Sequence, residues 1–524
     1  MIFNKLFRII VLLSLVILCF CSRGEEQVQK PNIVLIMVDD MGFSDIGCFG
    51  GEISTPNLDK LASEGIRFSR YYNTAKCFTS RACLLTGLYA QNCGMAEKAG
   101  TFTNAITIAE VLRNAGYRTL MTGKHHGEEN PFNFGFDRYF GLKDGSSNHF
   151  NPGLKREGEV TPAHKKGKVP RSWGIDSILY EPYTPPEKDF YTTDYFTNYA
   201  LDYLDEYENE GKPFFLYIAY TAPHDPLMAW PEDQKKYLGK YMAGYEVIRK
   251  ARYERQKDMG LIDENYPLST PTYEDWESLT EEEKIIRDSV MATHAAMIDR
   301  VDQNIGRLIA KLEEQNKLDN TLILFMSDNG AQPQDNPNRW LKAQGKLTDL
   351  GQPIGSMGRY ISLSLSWANV SDTPFRLYKS NSHEGGISTP LIWYWKGKVM
   401  NPGSITDYPS HLVDIMPTLL EVAGANYPES FDGKEIKPYD GISLYPLASG
   451  NEPRRDELLY WQWKDGKAIR EGKWKLVSDY NEPWELYDME VDQTETNNLI
   501  EDFPEVAKDL AEKWETWLNK STEL

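Results

Sequence analysis

Residues 32–40 read Asn32-Ile-Val-Leu-Ile-Met-Val38 followed by Asp39-Asp40, an unbroken apolar run that stops on two carboxylates. Residues 321–329 have the same form, Thr321-Leu-Ile-Leu-Phe-Met-Ser327 followed by Asp328-Asn329. A strand with one wet face alternates polar and apolar residues, whereas a continuous run predicts a parallel strand buried on both faces. Residues 213–220 and 389–395 are two more strand candidates. Helical patterns lie between them over 56–64, 106–115, 193–207, 280–315 and 414–423. Strands alternating with helices predict an α/β fold, a large and mostly parallel central sheet sandwiched by helices.

The rest of the chain agrees with a large globular protein. It has 524 residues, 41% hydrophobic and 26% charged, which excludes disorder and a disulfide-stapled mini-domain. A formal charge of −20 argues against a duplex nucleic-acid binder, which needs a basic surface to displace counterions. A local cluster of cations can still serve an anionic substrate. Six cysteines, Cys19, Cys21, Cys48, Cys77, Cys83 and Cys93, are too few for a disulfide framework.

Residues 1–21 carry Lys5 and Arg8 ahead of an apolar run from Ile9 to Phe20. That length and those flanks predict a secretory signal and an exported protein of the periplasm or cell surface. Two alternatives are a single membrane anchor and a lipoprotein signal with Cys21 lipidated. Phe20 stands where a lipobox favours a small residue. Any membrane association is expected only through this N-terminal segment.

Residues 226–278 and 330–378 read as long loops, of the kind that line a site or form a lid. After about 445 the texture changes. Residues 458–463, 467–477 and 484–488 read as short strands, and 504–519 as a helix. The expected organisation is a catalytic domain over 30–445 and a small α+β subdomain over 446–524.

In open α/β sheets ligands bind beyond the carboxyl ends of the strands. Asp39-Asp40 and Asp328-Asn329 each stand at such an end, and together they offer oxygen ligands that suit Ca²⁺ or Mg²⁺ better than zinc. Either pair alone is better read as a turn or helix cap, and the two together make metal the better reading. Cys77-Phe-Thr-Ser-Arg81 follows, and a helix beginning over Ser80–Leu85 would place Cys77 and Arg81 one turn apart on one face. Its N-terminus offers free N–H groups to an anion, although Cys77 alone would be read as a small buried hydrophobe.

Cys77-Phe-Thr-Ser-Arg-Ala-Cys-Leu-Leu-Thr-Gly87 resembles the signature of the formylglycine-dependent sulfatases of the alkaline-phosphatase superfamily. The resemblance extends over about 30–520. It includes Lys30–Gly42, Thr55–Ala62, Gly116–His126, Ala222-Pro-His-Asp-Pro226, Ser327–Gly330, Lys379 with His383-Glu-Gly-Gly386, Gly472–Leu476 and Trp484–Asp488. It implies an alkaline-phosphatase-like fold and Cys77 converted to formylglycine, whose hydrate is the nucleophile. Asp39, Asp40, Asp328 and Asn329 would hold one Ca²⁺, with the formylglycine oxygen as a further ligand. Arg81 would steady the hydrate, His126 would help its breakdown, and Lys124 and Lys379 would neutralise sulfate oxygens. His224, together with Lys379, would protonate the leaving alcohol. A formylglycine-generating or radical sulfatase-maturing enzyme is the implied partner, and a sulfated carbohydrate or aryl sulfate the implied substrate. The segment Ser366–Lys379 looks particularly like bacterial arylsulfatases.

Two positions depart from the pattern: Thr79 stands where Pro or Ala is usual, and His125 where Trp is common. A phosphate or phosphonate monoester hydrolase of the same superfamily is one competing reading. The two-zinc phosphatases typically carry Asp-His at 328–329, so Asn329 and Cys77 favour the single-Ca²⁺ pattern. A non-catalytic glycan-binding protein on the same scaffold is the other, and it would be favoured by loss of site residues.

Overall fold

The structure, a computed structural model, describes residues 30–164, 171–334, 351–456 and 458–522. The expected signal segment and Cys21 lie outside the described residues. Ten strands form one sheet. Their order is Ser404–Thr406, Ile66–Phe68, Leu391–Tyr394, Thr321–Ser327, Asn32–Asp39, Phe214–Pro223, Arg118–Gly123, Arg138–Leu142, Trp173–Ile175 and Ile178–Tyr180. The five strands from Thr321–Ser327 to Arg138–Leu142 are parallel. Leu391–Tyr394 runs antiparallel to both of its neighbours.

The continuous apolar run of the first strand has a simple cause. Val34, Ile36 and Val38 join one buried cluster with the helices Thr192–Glu206 and Glu281–Glu314. Ile33, Leu35 and Met37 join a second cluster with Cys77–Thr86, Ile108–Asn114 and Ile415–Ala423. Successive side chains point to opposite faces, so each face needs apolar residues. Full burial contributes about 1.5–3 kcal/mol for each large aliphatic side chain. The 34-residue helix Glu281–Glu314 begins with a capping box between Thr280 and Glu283. Among the described residues no helix is long and apolar enough to cross a membrane.

Residues 226–278 are not simply a loop. They include the helix Tyr245–Asp258, whose buried positions are Tyr245, Arg249, Arg252 and Gln256. That stripe has helical spacing but is built from polar residues, so hydrophobic periodicity gives no sign of it. Arg252 reaches Asp45 at 2.8 Å and Glu52 at 2.8 Å, which makes a buried guanidinium tolerable.

The span 467–477 divides into a hairpin, Gly466–Glu471 and Trp474–Ser478, because Gly472 turns the chain at φ +56°. With Leu459–Trp463 and Glu485–Asp488 these strands form a four-stranded antiparallel sheet. Ile469, Leu476 and Leu486 pack on Leu510 and Trp514 of the helix Pro504–Thr522. The alternate residues Trp461, Ala468, Val477 and Tyr487 pack on Tyr72 and Ile387. The small sheet thereby rests one face against the segments that flank the large sheet's carboxyl edge.

Candidate active site

Register brings the acidic pairs together. Val38 is paired with Ser327 and Asp39 with Pro223, while Gly123 is paired with Ala219. Asp39-Asp40, Asp328-Asn329, His224 and Lys124 therefore emerge side by side where the central strands end. Gly123 is required at its place: its φ is +104°, and a Cβ there would stand 1.9 Å from the Ala219 carbonyl. That carbonyl accepts the Lys124 N–H at 2.7 Å, which fixes where the lysine leaves the sheet.

The helix Cys77–Thr86 lies beneath this edge with all of its residues buried. Cys77 is its first residue. Arg81, one turn on, donates to Asp328 Oδ2 through Nε at 3.1 Å and Nη2 at 2.8 Å, and through Nη1 to the Lys124 carbonyl at 3.0 Å. Lys124 Nζ lies 2.6 Å from Asp39 Oδ2. Lys379 Nζ lies 3.1 Å from Cys77 Sγ and pairs closely with Asp40 Oδ1. Asn329 Nδ2 donates to Asp40 Oδ1 at 2.7 Å.

Burial opposes every charge here, and the neighbours decide the outcome. Burial raises the pKa of Asp39, but Lys124 foremost holds it well below the usual carboxylate range. Lys379 does the same for Asp40 against burial. Asp328 goes up, because burial and the Asp39 charge outweigh Arg81 and Lys124. Burial pushes the Cys77 thiol up to about 11 despite Lys124 and Lys379. An unmodified thiol in this place is therefore neutral at pH 7 and a poor nucleophile.

His224 Nε2 lies 3.4 Å from Asp40 Oδ2, and its Nδ1 is 2.9 Å from Asp225 Oδ1 and 2.6 Å from the Asp225 carbonyl. Asp225 is itself buried and accepts from Ser362 Oγ at 2.6 Å. Both Nδ1 neighbours are acceptors, so Nδ1 donates to Asp225, and Nε2 faces the Asp40 carboxylate. The part-buried His126 and the buried Asp40 both have φ +66°, a left-handed backbone that few residues adopt. Burial and then the Lys124 charge push the His126 pKa well down. His125 points elsewhere: it packs on Phe134 at 4.9 Å and Phe102 at 6.0 Å, filling an aromatic slot.

Asp39 Oδ1, Asp40 Oδ2 and Asn329 Oδ1 are buried and accept no hydrogen bond from the described residues. Buried acceptors are almost always satisfied, so three unsatisfied oxygens on adjacent strand ends fit a hard cation. Ligand atoms of Asp39, Asp40, Cys77 and His224 also lie within 4.8 Å of one another. The residues present thus fit a divalent metal. The three carboxylates Asp39, Asp40 and Asp328 face the three cations Lys124, Lys379 and Arg81. A divalent ion would leave a net positive site, matched to an anionic ester.

Residues 31–425 match the sulfatase family. The chain belongs to the sulfatase family. Residues 376–521 also match the family described as N-sulphoglucosamine sulphohydrolase, C-terminal. An arylsulfatase of Klebsiella aerogenes is 34% identical, the match covering 82% of this chain and 95% of that one. An uncharacterized sulfatase of Schizosaccharomyces pombe is 33% identical over 95% of this chain and 94% of its own. Among solved structures, Ps i-CgsB in complex with k-i-k-neocarrahexaose has a TM-score of 0.68 and 27% identity, and 94% of each chain is covered. This protein is a sulfatase enzyme with aryl- and glycan-sulfatase relatives.

Within this sulfatase, Asp39, Asp40, Cys77, Arg81, Lys124, His224, Asp328, Asn329 and Lys379 converge in one connected cluster. His126 connects to it through the Phe78 ring, 5.7 Å away. His383 does not converge: its Nε2 pairs with Glu485 Oε2 at 2.8 Å, away from the cluster. Thr79 is held by Thr74 Oγ1 at 2.6 Å and the Lys76 carbonyl at 2.8 Å. Asp225 was missed by sequence reasoning, and its only signal there was adjacency to His224.

Proposed function

We propose that this sulfatase hydrolyses sulfate monoesters of carbohydrates outside the cytoplasm, with Cys77 matured to formylglycine and one Ca²⁺ held by Asp39, Asp40, Asp328 and Asn329. The observation that carries the reading is the meeting of unsatisfied carboxylate and amide oxygens with Cys77 and two lysines at a helix N-terminus. Ca²⁺ would supply a fixed positive charge for the sulfate oxygens. Formylglycine hydrate would supply a nucleophile with a second hydroxyl, whose deprotonation can expel sulfate, whereas a serine ester would stall.

The chain's own residues do the rest. Lys124 and Lys379 screen the charge of the sulfate, and Arg81 holds Asp328 and the start of the helix in place. His224 is oriented through Nδ1 by Asp225, so that an Nε2–H, facing the Asp40 carboxylate at 3.4 Å, can give its proton to the leaving oxygen. His126, kept neutral by burial and by Lys124, would take the proton released as the hydrate breaks down. Ca²⁺ is preferred to zinc because the orphaned atoms are oxygens. Carbohydrate is preferred as substrate because of the neocarrahexaose complex of the structural relative. Export follows from the basic and apolar segment at residues 1–21.

The test is sulfate release, by ion chromatography, from a panel of defined sulfated sugars and an activated aryl sulfate, beside matched phosphate and phosphonate monoesters. The protein is co-expressed with a maturing enzyme. Turnover confined to phosphorus esters would overturn the reading.

A further inference from the structure

We propose that the four-stranded C-terminal sheet positions Lys379, and that Glu485 is the main residue through which it does so. The inference rests on the reading of Lys379 as a cation that meets the sulfate. Lys379 sits on a loop between the helices Leu365–Ser371 and Glu384–Ile387. Its ammonium is held by Asp40 and Cys77, and the outer ends of the loop are held from just past the strand Thr321–Ser327, where the Gly330 N–H donates to the Gly386 carbonyl at 3.1 Å and the Ala331 N–H to Asp372 Oδ1 at 3.1 Å. The backbone N–H of Lys379 donates to Ala331 at 3.2 Å, and that of Ser380 to Ala75 at 2.9 Å.

The flanks are fixed from the small sheet. Glu485 Oε2 accepts from Arg376 Nη1 at 2.8 Å and lies 2.8 Å from His383 Nε2. One carboxylate therefore ties residues three before and four after Lys379. Immediately beyond, Glu384 receives Lys475 Nζ at 2.7 Å, and its N–H donates to Glu495 Oε2 at 2.8 Å. Lys475, Glu384 and Glu495 have 0% side-chain exposure, so these pairs work at low dielectric, where a lost partner is costly. Burial works against the charge of Glu485, but His383 and Arg376 hold its carboxyl down to about 2, so it is ionised at neutral pH. None of these side chains touches Cys77 or the acidic cluster. Their common target is the geometry of one loop.

The test is a double-mutant cycle with an exchange measurement. Glu485→Gln should lower kcat roughly 10²-fold, the cost of about 1 Å of misplacement, with KM little changed. In a Lys379→Ala background the same substitution should cost within about twofold, because its route of action is gone. Glu485→Asp should restore part of the loss. Hydrogen–deuterium exchange should rise over 376–384 in Glu485→Gln and stay unchanged in the strands Asn32–Asp39 and Thr321–Ser327. Unchanged exchange in that loop would overturn the proposal, as would a full loss repeated in the Lys379→Ala background. If Glu485→Gln does not fold, Arg376→Gln, at a part-exposed side chain, takes its place in the same cycle. If the wild type releases no sulfate, the functional reading fails while the exchange result still decides whether the clamp exists.

Discussion

Lys379 Nζ lies 3.1 Å from Cys77 Sγ across a separation of 302 residues, and the same ammonium pairs with Asp40. On the proposed mechanism, the cation that would meet a bound anion and the residue that would attack it are thus in contact before any substrate arrives. Neither is exposed, Cys77 and Lys379 each being at 1%. Such prior arrangement is what makes electrostatic stabilisation effective, because no reorganisation is needed during reaction.

Cys77→Ala should keep the fold, since it removes one buried sulfur from a helix whose other residues pack unchanged. Turnover should fall by more than about 10⁴-fold, as for loss of a nucleophile. Mass spectrometry of the peptide containing residue 77, from protein co-expressed with a maturing enzyme, should show formylglycine. Fully active protein with an intact thiol would contradict the mechanism.

Chelation should abolish activity and lower the melting temperature, and Ca²⁺ should restore both. A ligand at 100 times its Kd stabilises by about 2.7 kcal/mol. Asp39→Ala should lose both responses, because it removes an orphaned oxygen and leaves Lys124 unpaired. Stoichiometric zinc in active protein would argue against Ca²⁺.

His224→Ala should reduce kcat/KM on a sulfated sugar by about 10²–10⁴-fold and on a nitrophenyl sulfate far less. A sugar alkoxide needs a proton as it leaves, and a nitrophenolate does not. Lys379→Ala should harm both substrates alike. Equal losses from His224→Ala on the two substrates would remove His224 from the acid role.

Stability should decline as pH falls below about 6.5. Burial, the leading cause in each case, lowers His125 and His411 to about 3 and His149 and His164 to about 4. The folded protein then binds fewer protons than the unfolded chain, so their contribution is complete above the unfolded pKa. It is lost toward pH 4 at about 1.4 kcal/mol per pH unit for each histidine. Melting temperature against pH checks this. His125→Phe should flatten the slope, since that ring already packs among Phe102 and Phe134.

The central strands were legible because burial on both faces leaves a continuous apolar run, and their terminal acids gave away the sheet's functional edge. The helix Tyr245–Asp258 was not, because its buried stripe consists of Arg249, Arg252 and Gln256 rather than aliphatic residues. The antiparallel direction of Leu391–Tyr394 was equally hidden, since an apolar run carries no sign of its direction. Cys77, Arg81, Lys124, His126, His224 and Lys379 could be named from motif and place. Asp225 and Glu485 could not, because each is a single carboxylate whose meaning comes from a partner fixed only by tertiary structure.

The helix that carries Cys77 has no residue open to solvent. On the proposed maturation of Cys77, the modifying enzyme would have to meet the chain before this helix is buried. Modification and folding therefore compete in time. The slower the ten-stranded sheet is to close, with partners as distant as Asn32 and Thr321, the wider the interval in which residue 77 is within reach. A variant that folds faster would on this account mature less completely, though every residue of its site were unchanged.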